Sequence, residues 1–205
     1  MPEQSSMYGY LTWTKERIGE MDATLASLEA KAIQERADSK AKVHQLIAEL
    51  KRRRDAFRAK AKTVAEADEA AVRAVRAQLE SQWHAFEAEV KTYFDSVDRQ
   101  IEQQHATFRE TAAAQVKAWR EAGDELRRAT AEVAAARRAD IDAAIKKIES
   151  DAAQAEARLQ QFKQAKSESW AALGAALAES RKAFDRAIQQ GWDAYKRAAQ
   201  TKSPS

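Results

Sequence analysis

The sequence contains no cysteine and very little proline or glycine. Without cysteine, the chain forms no disulfide bond and offers a metal ion no thiolate ligand. The two prolines are Pro2 and Pro204, so no residue between them removes a backbone donor from a helix interior. The sequence also lacks the alternating β-branched residues and Asn-Gly turns that are typical of a sheet. We therefore predict an all-α protein.

Residues for catalysis or metal binding are equally scarce. His44, His84 and His105 are the only histidines, and no two of them have the spacing of a zinc-binding helix. The sequence has no glycine-rich phosphate loop, no nucleophile elbow and no pair of Glu-x-x-His motifs for a carboxylate-bound metal pair. We predict no catalytic residue, no cofactor, no metal site and no small-molecule substrate. The protein is expected not to be an enzyme.

Long apolar runs are absent as well. No segment approaches the roughly 20 apolar residues that cross a bilayer. The first twenty residues lack the basic region and following apolar run of a secretory signal. From the sequence we expect a cytoplasmic protein.

Alanine dominates what the sequence does contain, with 47 of the 205 residues, and Glu, Lys, Arg and Gln supply much of the rest. All of these residues are strong helix formers. Each helix has few large apolar side chains, so it is expected to bury only a narrow stripe. Two such helices alone would be marginally stable, and we predict that the chain forms a homo-oligomer.

The N-terminal segment, residues 1–37, has a heptad pattern. Every seventh residue from Leu11 to Ala32 is apolar, and a second row runs three residues further along. This period of 3.5 residues is typical of a left-handed coiled coil. The segment RADSKAK follows, and we expect Asp38 or Ser39 to cap the start of a second helix there.

The central segment follows a period of eleven residues. From Val64 to Trp119, every eleventh residue is apolar and larger than alanine, and two companion rows follow, in which Asp68 and His105 are exceptions. Eleven residues over three turns lies close to the period of a straight helix, which predicts a straight or gently right-handed seam. The same period returns near the C-terminal end. The predicted core and self-association seam comprises Val75, Trp83, Phe86, Val90, Phe94, Val97, Ile101, Phe108, Trp119, Leu159, Phe162, Trp170, Leu173, Phe184, Ile188, Trp192 and Tyr195.

The clearest turn signal is at Gly123 and Asp124. Glycine suits the left-handed residue after a helix, and aspartate caps the next helix. A reversal there folds residues 38–200 into a long antiparallel hairpin with matching seams, and residues 201–205 form a disordered tail. We therefore predict an elongated antiparallel hairpin or coiled-coil bundle. A break near Thr63, which begins a capping-box spacing, would instead give a shorter bundle of three or four helices.

A basic stretch lies at residues 40–62, which carry nine Lys or Arg. A basic amphipathic helix can lie on an anionic membrane, and it can equally meet acidic residues of a partner chain. Nucleic acid is disfavoured because no recognisable binding motif accompanies the charge. The predicted surface contact has a cationic side, Lys51, Arg52, Arg53, Arg54, Arg58, Lys60 and Lys62, and an apolar side, Leu46, Ile47, Leu50 and Phe57.

The eleven-residue rows and the cysteine-free, alanine-rich helices of residues 64–199 resemble two families. One is the exchangeable apolipoproteins, and the other is the phasins, which coat bacterial polyester granules. The resemblance implies binding to a lipid or granule surface. The chain departs from the apolipoproteins in lacking prolines between 22-residue units and in having an alanine-diluted apolar face. Both departures favour packing of helix on helix.

Two functional hypotheses follow from these patterns. The first is a non-enzymatic, elongated helical protein that self-associates as a coiled-coil scaffold. The alternative is an apolipoprotein-like or phasin-like protein whose amphipathic helices bind a lipid, membrane or polyester-granule surface.

Overall fold

A computed structural model describes the backbone of residues 3–34, 37–64, 69–95, 101–131, 133, 138–162 and 167–200. Within these ranges every regular element is an α-helix, so the predicted all-α class is confirmed. The high share of alanine and of straight-chain polar residues favours this conformation throughout. The helices described are α1 (Glu3–Gln34), α2 (Ala37–Lys62), α3 (Glu69–Asp95), α4 (Ile101–Ala129), α5 (Ala139–Phe162) and α6 (Ser167–Gln200).

The helices form two compact units. We call residues Thr14–Ala114 the central unit, and Met1–Trp13 with Gln115–Ser205 the terminal unit. Helices α1 and α4 contribute residues to both units, whereas α2 and α3 belong to the central unit and α5 and α6 to the terminal unit. The described part of the chain thus has six helices, whereas the alternative drawn from the sequence expected a bundle of three or four.

The central unit packs neighbouring helices in opposite directions. Glu29 of α1 bonds Lys51 of α2, whereas Asp22, one heptad earlier in α1, bonds Arg54 further along α2. Helix α4 also runs against α1. The interior of this unit is built from large apolar side chains, chiefly Met21, Leu25, Leu28, Leu50, Phe57, Leu79, Trp83 and Phe86.

The terminal unit has an aromatic interior. Trp119 of α4 stacks on Phe184 of α6, with ring centroids 4.8 Å apart. Tyr8, near the start of α1, stacks on Trp192 of α6 at 4.4 Å. On the outside of the unit, Arg120 of α4 bonds Glu156 of α5. Helices α1, α4, α5 and α6 therefore all contribute to this unit.

The predicted turn at Gly123 is wrong. Helix α4 continues through Gly123 to Ala129, and none of the glycines described has a positive φ. The chain reverses further on, where Thr130 donates its amide to Leu126 and the Arg138 side chain donates to the carbonyls of Ala131 and Val133. Glycine at 123 has a packing role instead, because an added Cβ would lie 3.2 Å from Ile148 Cγ2.

The two arms of the predicted hairpin, residues 39–122 and 124–200, are not single helices. Helix α2 ends at Lys62, followed by a turn in which the Thr63 amide bonds the Lys60 carbonyl. The alternative of a break near Thr63 is therefore confirmed, although Ala65 and Glu66 of the capping-box spacing lie outside the described residues. An eleven-residue row shows which face of a helix is apolar, but it does not show where one helix ends and the next begins.

Helices α3 and α4 are a second place where the eleven-residue rows continue across the end of a helix. The Arg17 guanidinium lies 5.4 Å from the Trp83 ring, and Ser27 bonds Thr107. Residues 17 and 27 are about 15 Å apart along α1, whereas residues 83 and 107 would be about 36 Å apart in one helix. The chain therefore reverses direction between α3 and α4, within the predicted seam.

The boundary expected near residue 38 lies slightly earlier. Helix α1 ends at Gln34 and α2 begins at Ala37, so Asp38 and Ser39 lie inside α2 rather than at its cap. The predicted tail, residues 201–205, lies outside the described residues. Elongation and a supercoiled hendecad seam remain predictions.

Candidate functional site

The predicted seam residues divide into three groups by exposure. Six are buried within their own chain: Trp83, Phe86, Trp119, Phe184, Ile188 and Trp192. Six are partly exposed: Val75, Val90, Phe94, Phe108, Leu159 and Tyr195. The side chains of the remaining five lie outside the described residues: Val97, Ile101, Phe162, Trp170 and Leu173.

Several of these rings contact one another inside a unit. Trp83 and Phe86 stack at 6.0 Å in the central unit, and Tyr195 meets Trp192 edge-on at 5.7 Å in the terminal unit. Trp192 is fully buried, and its indole N–H has no hydrogen-bond partner. The buried rings of the seam are therefore packed against their own chain, and they are not accessible to a partner.

The basic stretch is held by acidic side chains of the same chain. Arg54 bonds Asp22 of α1 at 2.5 Å and Asp55 at 2.7 Å. The hydrogen bond that Arg54 donates to Asp22 is the main cause that raises the pKa of Arg54. Arg58 also bonds Asp22, at 3.0 Å, so one carboxylate of α1 joins two guanidinium groups of α2.

Three further cations of the stretch have partners in the central unit. Lys51 bonds Glu29 of α1 at 2.6 Å, and Arg53 lies 2.6 Å from Glu89 of α3. Arg52 bonds Glu49 within α2. The acidic partners that the sequence pattern assigned to a second chain are thus present in this one. Lys60 and Lys62 lie in the last turn of α2, where positive charge interacts favourably with the helix dipole.

The apolar side of the basic stretch faces the interior. Ile47, Leu50 and Phe57 are buried, and Leu46 is half-buried. Insertion of these residues into a membrane requires that they first leave the core. In the described fold, the basic stretch therefore joins α2 to α1 and α3.

Polar residues on the inner side of α1 were missed by the sequence analysis. Glu16, Arg17 and Glu20 are all buried, and Arg17 bonds both carboxylates at 2.9 and 3.0 Å. By contrast, Leu11, an apolar residue of the predicted heptad rows, is 47% exposed. The spacing of Glu16, Glu20, Thr24 and Ser27 places them on one helix face, and this polar stripe was the available signal.

A hydroxyl seam joins α1 to α4 in the central unit. We define it as two hydrogen-bonded pairs, Thr24 with Thr111 at 3.0 Å and Ser27 with Thr107 at 2.8 Å. The carbonyls one turn earlier, of Glu20 and Thr107, also lie within hydrogen-bond distance of the Thr24 and Thr111 hydroxyls. Each hydroxyl has one proton, so one threonine donates to the other and the second donates to the carbonyl of its own helix. Alanines and Ser27 line a groove along this seam, with Lys31 and Glu110 at its edge.

The α1 outer face shares Ala26 and Ala30 with the lining of this groove and carries mostly small residues. We define it as Lys15, Gly19, Ala26, Ala30 and Ile33. A Cβ added at Gly19 would meet nothing within 4 Å. Ile33 is 79% exposed, which makes it the most exposed large apolar side chain described. Exposed helix faces are usually charged or polar, so this face is unusual.

The histidines do not belong to a cluster of metal-ligating side chains in the part of the chain described. Burial, with a smaller contribution from the charge of Arg109, lowers the pKa of the half-buried His105. His84 bonds Glu87 on the surface at 3.2 Å. The described residues include no cluster of three or more His, Asp or Glu that could hold a metal ion.

Comparison with known proteins gives no family assignment. No family model, no curated protein and no solved structure matches the chain. Among the helices described, none has both the length and the apolar composition needed to cross a membrane.

Proposed function

We propose that the protein is a non-enzymatic helical scaffold that acts by self-association. The α1 outer face is the observation that carries this proposal. Its alanines and glycine would let a second helix approach closely, and Ile33 supplies an exposed apolar side chain for the contact. A second copy of the same face is the partner that fits best.

The charges beside this face support pairing of two α1 helices in opposite directions. Lys15 precedes Asp22 by seven residues, and Glu29 follows it by seven. In an antiparallel pair centred on Asp22, Lys15 of one copy would lie opposite Glu29 of the other, which would then be shared with Lys51 of its own chain. Asp22 itself is neutralised by Arg54 and Arg58 of its own chain, which limits repulsion at the centre.

The lipid or granule alternative has less support from the described surface. A helix that coats lipid needs a wide apolar face on the outside. Here the large apolar side chains lie mainly inside the units, and the exposed exceptions described are Leu11 and Ile33. The eleven-residue rows still permit lipid binding if a unit opens. Binding to an anionic membrane through α2 is opposed by the acidic partners of its arginines.

Sedimentation equilibrium of the purified protein, with and without anionic phospholipid vesicles, separates these functions. The scaffold proposal predicts an average mass that rises with protein concentration in the absence of lipid, with little protein bound to vesicles. A protein that stays monomeric at all concentrations and pellets with the vesicles would instead support the lipid alternative.

A further inference from the structure

We infer that the self-associating protein pairs its α1 helices in one register, an antiparallel pair in which Leu11 of each copy packs against Ile33 of the other. This inference rests on the proposed self-association and adds the apolar contact that selects the direction and register of the pair. Leu11 and Ile33 both belong to α1, and they are the large apolar side chains found exposed in the described part of the chain, at 47% and 79% exposure. Covering them removes apolar surface from water, which stabilises the pair.

The two side chains lie at equal distances from Asp22 along the helix. Leu11 precedes Asp22 by eleven residues, and Ile33 follows it by eleven. Eleven residues make about three helical turns, so the three residues project from nearly the same side of α1. When a helix pairs with its own copy in the opposite direction, residues at equal distances on either side of the centre meet. Leu11 of one copy therefore lies opposite Ile33 of the other at both ends of the pair.

The charges of α1 indicate the same centre independently. Lys15 and Glu29 lie seven residues before and after Asp22, on the same side of the helix. The Lys15 side chain is exposed and that of Glu29 is half-buried, so the two can meet across the pair. One apolar contact and one ionic contact thus share a single centre of symmetry.

Other arrangements of the two helices lose these contacts. A parallel pair in register places Lys15 beside the same residue of its partner, and does the same to Glu29, and like charges repel. An antiparallel pair shifted by about one turn in either direction places Ile33 opposite Lys15, or Leu11 opposite Glu29. Such a shift covers a charged group with an apolar side chain and removes its water without replacing it.

Small residues between the two ends allow the contact to close. Gly19 and Ala26 lie on the α1 outer face between Leu11 and Ile33, and an added Cβ at Gly19 would meet nothing within 4 Å. Two helices approach most closely where the side chains at the contact are small. Leu11 and Ile33 then cover the two ends of the contact.

Disulfide formation between copies provides the first test, because the chain has no cysteine of its own. Leu11→Cys and Ile33→Cys each place one thiol at an exposed position, so neither change removes a buried side chain. In the inferred register, neither variant links to itself, because the thiol of Leu11→Cys faces Ile33 of its partner and the thiol of Ile33→Cys faces Leu11. An equimolar mixture brings the two thiols together in every mixed dimer. Ala48→Cys, at an exposed position of α2, is the matched control.

The mixture should form covalent dimers at least about tenfold faster than either variant alone, because pairing raises the effective concentration of one thiol at the other. Mass spectrometry of the linked peptides should show position 11 joined to position 33. Mixing either variant with Ala48→Cys should give no such acceleration. If Leu11→Cys or Ile33→Cys links to itself as fast as the mixture reacts, the inferred register is overturned.

Charge exchange provides a second test that needs no cysteine. Leu11→Lys and Ile33→Glu should each weaken self-association by about tenfold or more, because each homodimer then holds two charged side chains against apolar ones. In an equimolar mixture, the mixed dimer keeps one contact between Leu11 and Ile33 and gains a lysine opposite a glutamate. The mixture should therefore associate about tenfold more tightly than either variant alone. A mixture that associates no better than its components would contradict the register.

Sedimentation equilibrium of the parent protein separates failure of the register from failure of the proposed function. If the parent associates but the mixtures neither form covalent dimers faster nor recover association, the register is wrong and the self-association stands. If the parent stays monomeric at all concentrations, the proposed function and the register both fail.

Discussion

At the scale of single residues, two glycines in helices have opposite surroundings. An added Cβ at Gly191 would lie 2.5 Å from Leu126 Cδ2 and 3.3 Å from Ala144 Cβ, whereas the same atom at Gly19 would meet nothing within 4 Å. Leu126 is fully buried and has little freedom to move aside. The sequence offers two similar glycines, and only the packing distinguishes them.

Alanine substitution should separate these two sites. Gly19→Ala is expected to raise the free energy of unfolding by about 0.5–1 kcal/mol, because it removes backbone freedom from the unfolded chain. Gly191→Ala is expected to lower it by about 1–2 kcal/mol, because overpacking exceeds the gain in helix propensity. Urea unfolding followed by circular dichroism measures both. A Gly191→Ala protein as stable as Gly19→Ala would contradict the packing described here.

Tyr10 gives a prediction about pH. Its side chain is 1% exposed, and burial raises the pKa of its phenol to about 12. The folded state therefore holds this proton more tightly than the unfolded state, in which the pKa is near 10. The resulting stabilisation is complete below pH 10 and is lost as the pH rises towards 12.

The free energy of unfolding should accordingly fall by up to ~2–3 kcal/mol between pH 10 and pH 12 on account of Tyr10. Tyr10→Phe is the control, since it removes the proton but keeps the ring. Denaturant unfolding of both proteins over this pH range should show a smaller decline for Tyr10→Phe. Parallel declines would show that Tyr10 ionises as freely in the folded protein as in the unfolded one.

At the scale of helices, the sequence patterns identify faces better than they identify ends. The eleven-residue rows correctly placed Trp83, Phe86 and Trp119 among the apolar positions, and all three are buried. The same rows run past the ends of α3 and α5 with no proline or glycine to mark them. Helix ends in this chain depend on which segments pack together, and periodicity within one segment does not contain that information.

The polar interior of α1 is the second feature that the sequence did not predict. Charged side chains such as those of Glu16, Arg17 and Glu20 are normally exposed on a helix surface. In the structure, Arg17 bonds both carboxylates and faces the Trp83 ring, a partner 66 residues away along the chain. No pattern local to α1 indicates which distant residue will cover it.

The hydroxyl seam can be tested by a double-mutant cycle. Thr107→Val removes one partner of the buried Ser27 hydroxyl and should lower the free energy of unfolding by about 1–2 kcal/mol. Adding Ser27→Ala removes the hydroxyl that lost its partner, so the double variant should recover part of this loss. Urea unfolding of the four proteins gives the coupling. Strictly additive effects would contradict a direct bond between the two side chains.

At the scale of the whole molecule, the chain forms two helical units, each with its own buried apolar interior. The charges of α2 are largely matched by Asp22, Glu29 and Glu89 from the neighbouring helices. What the central unit leaves exposed and unusual is the α1 outer face with Ile33. The proposed function follows from this distribution, because a helix face of small apolar side chains is more stable packed against another helix than exposed to water.

Sedimentation equilibrium of two charge variants tests this proposal most directly. Ala26→Glu places a carboxylate on the α1 outer face, and Ala48→Glu makes the same change at an exposed position of α2. Ala26→Glu should weaken self-association by about tenfold or more, equivalent to ~1.4 kcal/mol, whereas Ala48→Glu should associate like the parent. If the parent shows no association, or if Ala26→Glu associates as tightly as Ala48→Glu, the α1 outer face is not the contact.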